Sequence, residues 1–319
     1  MELPLNIPFR VFCVFCGFIL SAGAEAAQRG VLSQLTVSSA SLGGPRRIQV
    51  YLPPSYLEQT NRRFPVLYLL DGQNVFSSAG PYAAFGWGNW GLDKTVDELS
   101  QAGRMQEIIM VAVDNSTNRL HEYSGELGSA DGATNKTPFV QYADFLRHEL
   151  KPKIDREYRT VTDASHTATM GSSLGGLCSL ALAWNYPETF GQAACLSTSF
   201  QVGHTNFLNA ILKEYRGPPK PIRIYLDSGV TDFMGGDDGG SLTREAVEQL
   251  RRIVGGTNLE YYVDAKPMTP AELEKTGLRR DKWAEAQKSQ HNEFYWRQRA
   301  WRPLTFLFPP DANETPKSR

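Results

Sequence analysis

Residues 166–176, HTATMGSSLGG, constrain this chain more than any other stretch. Ala168, Thr169 and Met170 are compact strand formers. Gly171, Ser172, Ser173, Leu174 and Gly175 then fit G-x-S-x-G in a single frame, with Ser173 at the centre. The pattern suits a sharp strand-to-helix turn that strains its central residue and lifts the hydroxyl clear of the backbone. Glycines flank it because a Cβ there would meet the strand or the helix. A helix over 174–186 would aim its free N–H groups and its dipole at Ser173, which favours negative charge there. Small residues clustered at an ordinary strand–helix turn would give the same letters. The strand pattern before and the helical pattern after distinguish the two readings.

The flanking chain predicts an α/β fold. Residues 31–40 and 46–52 read as two strands joined by a Gly-Gly-Pro turn. The run 66–70, VLYLL, is continuously apolar, as in a strand buried on both faces of a parallel sheet. It ends at Asp71-Gly72-Gln73-Asn74, at the strand end where α/β enzymes place ligands. An aromatic, glycine-rich loop over 80–91 carries Tyr82, Phe85, Trp87 and Trp90. Helices are expected over 92–102, 138–158 and 243–253. Further strands are expected over 107–114, 192–196, 221–226 and 259–263. Alternating strands and helices imply a mostly parallel central sheet with helices on both faces. No internal repeat or linker divides residues 27–319, which read as a single domain.

Residues 1–26 differ. Arg10 precedes an apolar run over 11–20, then Ala22-Gly23-Ala24 and Ala24-Glu25-Ala26 each offer an A-x-A cleavage site. This reads as a secretory signal peptide, too short for a span of ~20 residues. The expectation is a secreted or periplasmic protein, not inserted in a membrane after cleavage. Two cysteines then remain, Cys178 and Cys195. They could pair in an oxidising compartment, but two buried thiols are favoured, because helix–strand geometry often forbids a bridge. With a net charge of −1, neither sign dominates, and nothing argues for a nucleic-acid partner.

A serine hydroxyl needs a base. Where the chain order is nucleophile, acid, histidine, the base should follow the last strand. Of His121, His148, His166, His204 and His291, only His291 does. His204 could line the mouth of the site, though a solvated loop histidine is the plainer reading. The acid should lie beyond the strand 221–226, where Asp227, Asp232, Asp237 and Asp238 stand. Asp232 is favoured as far enough past the strand to turn toward His291. Asp227 reads as a strand end, and Asp237 and Asp238, among glycines, as a surface turn. The oxyanion donors should be the backbone N–H of Leu174 and that of Gln73 or Gly72, with Gln73 preferred.

These motifs resemble the putative-esterase family of α/β-hydrolases, which includes enterochelin esterases, esterase D-type hydrolases, feruloyl and acetyl xylan esterases, and mycolyltransferases. The likeness runs in order through YLPPSY (51–56), PVLYLLDGQNVF (65–76), RLHEYS (119–124), GSSLGG (171–176), YPETFG (186–191), LDSGVTDF (226–233) and HNEFYWRQR (291–299). It implies the α/β-hydrolase fold, with the family's serine on Ser173, its histidine on His291 and its acid on Asp232. It also implies an oxyanion N–H from Gln73. Arg119 and Glu122 match a family Arg–Glu pair, read as structural support.

One departure is the 27 residues of 264–290 before the histidine, where relatives have a short turn. A helix from 271 to about 287 is expected. The segment could be a lid, with Met268, Leu273, Leu278 and Trp283 facing the site. The expected activity is a serine carboxylic ester hydrolase working through an acyl-enzyme, with no metal or cofactor required. The expected partner is a small-molecule or carbohydrate-linked ester. Trp87 and Trp90 suit an aryl acid, such as a feruloyl group or a catecholate siderophore ester. Acyl transfer to a sugar, or a non-catalytic binding protein with this fold, are the other readings.

Overall fold

The computed structural model describes residues 29–128, 134–201 and 206–311. The leader reading of residues 1–26 and His204 lie outside the described residues.

Eight strands form one sheet in the order β1-β2-β4-β3-β5-β6-β7-β8. β1 (Val31–Ser39) and β2 (Gly44–Leu52) are antiparallel to each other, and β2 is antiparallel to β4 (Ile109–Val113). From β4 onward every pairing is parallel, through β3 (Val66–Leu70), β5 (Thr167–Ser172), β6 (Gln192–Leu196), β7 (Arg223–Gly229) and β8 (Leu259–Ala265). Strands β3 to β6 are buried at every position because both faces are covered. Val66, Tyr68 and Leu70 enter one core, and Leu67 and Leu69 the other, as the two-residue pleat requires.

The helices used below are α1 (Leu92–Gln101), α2 (Pro138–Asp144), α3 (Lys151–Glu157), α4 (Leu174–Asn185), α5 (Gly240–Val254), α6 (Pro270–Lys275), α7 (Trp283–Lys288), α8 (Glu293–Arg299) and α9 (Trp301–Leu307). α1 is amphipathic, with Leu92, Val96 and Leu99 buried. α4 is buried from Gly175 to Trp184, and it follows the strand so closely that a Cβ on Gly171 would stand 2.6 Å from the Gly175 carbonyl carbon.

The mostly parallel sheet matches the expectation. Two helices differ. The helix expected over 138–158 is divided into α2, a π-helical stretch Phe145–Leu150, and α3. Pro152 has no N–H for the turn before it, which fits the widening there. The helix expected over 271–287 is two short helices, with Gly277 at φ 72 between them.

Candidate active site

Ser173 sits between β5 and α4 at φ 57, ψ −121, a conformation that costs a non-glycine residue ~1–3 kcal/mol. The neighbouring strand holds it there, since Ser173 N donates to Leu196 O at 2.9 Å. Ser199 N donates to Ser173 O at 3.2 Å, and the Ser173 and Ser199 hydroxyls are 3.0 Å apart. Among the described residues no hydrogen bond joins Ser173 Oγ to His291.

The β3–β5 register sets the second wall of the site. Leu69 lies beside Met170, so Asp71–Gln73 leave the sheet next to Ser172–Leu174. A Cβ on Gly175 would stand 3.2 Å from Asp71 Oδ2. Asp71 is left-handed at φ 56, and the chain passes straight into a 3-10 turn, Gly72–Asn74. Leu174 and Gln73 each lie in the first turn of a helix, where backbone N–H groups have no helical acceptor. The Gln73 side chain is engaged, accepting from Asn115 N at 3.1 Å.

Asp71 anchors this wall. Arg119 clamps it through Nε and Nη2, both at 2.6 Å, and Asn115 Nδ2 donates to it at 2.6 Å. Arg119 also lies over the Tyr123 ring, 5.2 Å from its centroid. Arg119 and Glu122 therefore do not pair with each other. Glu122 takes Arg46 at 2.8 and 3.0 Å and Ser116 at 2.9 Å. Each is tied to another partner instead, Arg119 to Asp71 and Glu122 to Arg46.

The expected acid needs correction. Asp238, not Asp232, meets His291, with Nδ1 and Oδ1 2.5 Å apart. Thr231 bridges to Asp237, and Asp238 N donates to Val230 O, so the loop after β7 is a small hairpin. Asp232 is spent inside its tip, accepting from Met234 N and Gly236 N, both at 2.8 Å. The hairpin returns Asp238 to the end of β7, where its side chain is wholly buried. There its Oδ2 also accepts from Ser197 Oγ at 2.7 Å and from Gly229 N. Asp237 binds Gly240 N and Ser241 N at the start of α5. Asp227 is buried against Arg299, with Nε at 3.1 Å and Nη2 at 3.0 Å. Burial pushes the Asp227 carboxyl up, and Arg299 opposes that. The sequence held a signal that was missed. Asp232-Phe-Met-Gly-Gly is a turn former, and Asp237 fits a helix start, which leaves Asp238 without a local task.

His291 precedes α8, capped by Asn292, whose Oδ1 accepts from Tyr295 N at 3.2 Å. Its ring packs edge-on against Trp296 (5.1 Å) and Phe233 (5.7 Å). Phe233 and Met234, at the hairpin tip, are 72% and 80% exposed. Glu293, next but one to His291, is pushed up to about 7 by burial, with Asp71 adding to the effect and Arg119 opposing it.

The two expected lining tryptophans are separated. Trp87 is half-buried in a cluster with Met268, Leu273, Leu278, Trp283, Phe294 and Tyr295, and Lys282 lies over its ring. The four residues expected to face the site from a lid therefore pack onto Phe294 and Tyr295 of α8. Trp90 is buried against Trp296 at 6.0 Å. It walls a cavity of about 390 Å³ lined also by Lys94 and Arg297, but not by Ser173 or His291. Cys178 and Cys195 are free and buried.

The family model described as "Putative esterase" matches residues 39–303. A region of 171 residues is 29% identical to an endo-1,4-beta-xylanase/feruloyl esterase of Xylanibacter ruminicola, covering 53% of this chain and 22% of that protein. Across four curated relatives the match takes in between 22% and 61% of their length. Among solved structures, a ferulic acid esterase superposes with a TM-score of 0.61 at 18% identity, covering 88% of this chain and 98% of its own. The enterobactin esterase FES of Shigella flexneri, with enterobactin, superposes with a TM-score of 0.63 at 18% identity, covering 87% of this chain and 58% of its own. At that identity the likeness is one of fold.

Proposed function

Because the chain belongs to the putative-esterase family, we propose that it is a serine carboxylic ester hydrolase with Ser173, His291 and Asp238 as its triad. The observation that carries this reading is the strained Ser173 at the elbow, beside a loop that leads through Ser197 to the Asp238–His291 pair. Ser173 Oγ turns from Ser199 to His291, loses its proton to Nε2 and attacks the ester carbonyl carbon. The oxyanion is held by the Leu174 and Gln73 N–H groups. The C–O bond breaks as His291 returns the proton to the leaving alkoxide. Water, deprotonated by His291, then adds to the acyl-enzyme and releases the acid, and Ser173 regains its proton. Asp238 holds the Nδ1–H tautomer and stabilises the imidazolium.

The substrate class we propose is an aryl or acyl ester of a carbohydrate, acted on in a secreted or periplasmic setting. The exposed Phe233 and Met234 beside His291 support an apolar acyl group at the mouth. A second reading is a catecholate trilactone. The Arg297 and Lys94 side chains in the neighbouring cavity favour an anionic substrate. The test is turnover of p-nitrophenyl acetate, methyl ferulate and a catecholate trilactone by wild type and Ser173→Ala. Wild-type turnover with a loss of roughly 10⁵–10⁶ in kcat in the variant is expected. The fastest ester names the acyl class. Full activity in Ser173→Ala, or no turnover of any ester by wild type, would overturn the reading.

A further inference from the structure

We infer that Ser197, clamped by Arg299 and Trp296, is a positioning residue that directs its hydroxyl proton onto Asp238 and so fixes that carboxylate against His291. The inference rests on the triad proposed above. Ser197 Oγ lies 3.0 Å from Trp296 Nε1, 3.0 Å from Arg299 Nη2 and 2.7 Å from Asp238 Oδ2. Indole N–H and guanidinium groups can only donate, so they take both lone pairs of the Ser197 oxygen. Its one proton is left for Asp238 Oδ2. That oxygen also receives Gly229 N–H, which leaves Oδ1 for His291. The carboxylate cannot rotate without losing donors that have no other acceptor there.

The serine is held as firmly as its neighbours. Ser197 is 1% exposed and left-handed at φ 43, and its N–H points to Asp227 Oδ1 at 3.2 Å and Asp227 O at 2.9 Å. Arg299 is fully buried between Asp227 and Ser197. Burial alone would lower its guanidinium, but Asp227, with Asp238 adding to it, offsets this and the guanidinium is held above its ordinary value. The buried set is then two carboxylates, Asp227 and Asp238, and one cation. Its formal charge of −1 is what an imidazolium at His291 would neutralise. Around this set, Glu293 on α8 feels the Asp71–Arg119 pair, and Asp237 and the Arg244–Asp264 pair flank Gly240 at the start of α5.

The experiment is the pH profile of kcat/KM for p-nitrophenyl acetate with wild type, Ser197→Ala and Ser197→Cys, with Ser173→Ala as control. Losing one hydrogen bond to a charged group corresponds to ~10- to 100-fold, so Ser197→Ala should lose that much at the plateau. Removing a donor also leaves more negative charge on Asp238, which favours imidazolium. The acid limb should therefore move to higher pH. Ser197→Cys keeps a weaker donor and should fall between. If Ser197→Ala does not fold, Ser197→Cys decides by the same shift of the limb. A plateau loss with an unmoved limb would mean a scaffold role only and overturn the inference, as would an unchanged plateau. Failure of the triad reading shows separately, as activity surviving in Ser173→Ala.

Discussion

Replacing Asp238 by Asn takes one acceptor from a site that needs two. Three donors converge on its carboxylate, namely His291 Nδ1–H at 2.5 Å, Ser197 Oγ–H at 2.7 Å and Gly229 N–H. An amide offers one oxygen and one NH₂. The Gly229 N–H is fixed in the backbone and cannot become an acceptor, so the amide oxygen must face it and the NH₂ must face His291. Nδ1 then has to accept, the proton moves to Nε2, and the imidazole can no longer act as a base toward Ser173. A histidine held in the wrong tautomer costs about 10⁴ in kcat. The fold should survive, because the amide oxygen still meets Gly229 and Ser197, with a stability loss of about 1–3 kcal/mol. Asp232→Asn is the matched comparison. Both its hydrogen bonds end on Oδ1, which an amide oxygen can replace, so activity should stay within about threefold. The assay is kcat on p-nitrophenyl acetate, with thermal melts to confirm folding. Near-normal turnover in a folded Asp238→Asn, or a 10⁴-fold loss in Asp232→Asn, would refute the assignment of the acid.

Further outcomes follow from the same geometry. Burial raises Glu293 from its usual 4.5 to about 7, so the folded state binds more protons than the unfolded state between those values, and stability should fall as pH rises through that window. The shift corresponds to about 3 kcal/mol, and urea titrations at pH 5 and pH 8 should show that dependence in wild type but not in Glu293→Gln. Gly171→Ala should cost ~1–3 kcal/mol and most of the activity, since its Cβ would press on the Gly175 backbone at 2.6 Å, whereas an unchanged melting temperature would contradict that packing. Arg119→Met should release Asp71 and with it the Gln73 N–H, lowering kcat by about 10²-fold with little change in KM, and steady-state kinetics on one ester decide it.

The sheet was legible because its strands carry unambiguous patterns. VLYLL and the run into GSSLGG are short, bounded by turn formers and rich in strand formers, as buried strands are, and the elbow between β5 and α4 falls where the glycines place it. That His291 would meet an aspartate from beyond β7 was legible by chain order alone. Which aspartate it meets was not, because a hairpin of nine residues decides which of four aspartates returns to β7, and that depends on the Thr231–Asp237 bridge, a pairing with no hydrophobic pattern to announce it. Ser197 and Arg299 were invisible for a related reason. A lone serine after a strand and an arginine at the end of a late helix acquire meaning only when β6, β7 and α8 meet. The apolar residues of 264–290 bury against α8, in two short helices and not one, since period alone says neither where a helix breaks nor which neighbour a face will bury against.

The most direct test of the central claim is covalent labelling with a fluorophosphonate, read by intact-mass and peptide mass spectrometry. One adduct per chain is expected, on the peptide that carries Ser173, absent in Ser173→Ala and much slower to form in Asp238→Asn. Labelling on Ser199, whose hydroxyl lies 3.0 Å from that of Ser173, or no labelling of a folded wild-type chain, would contradict the account.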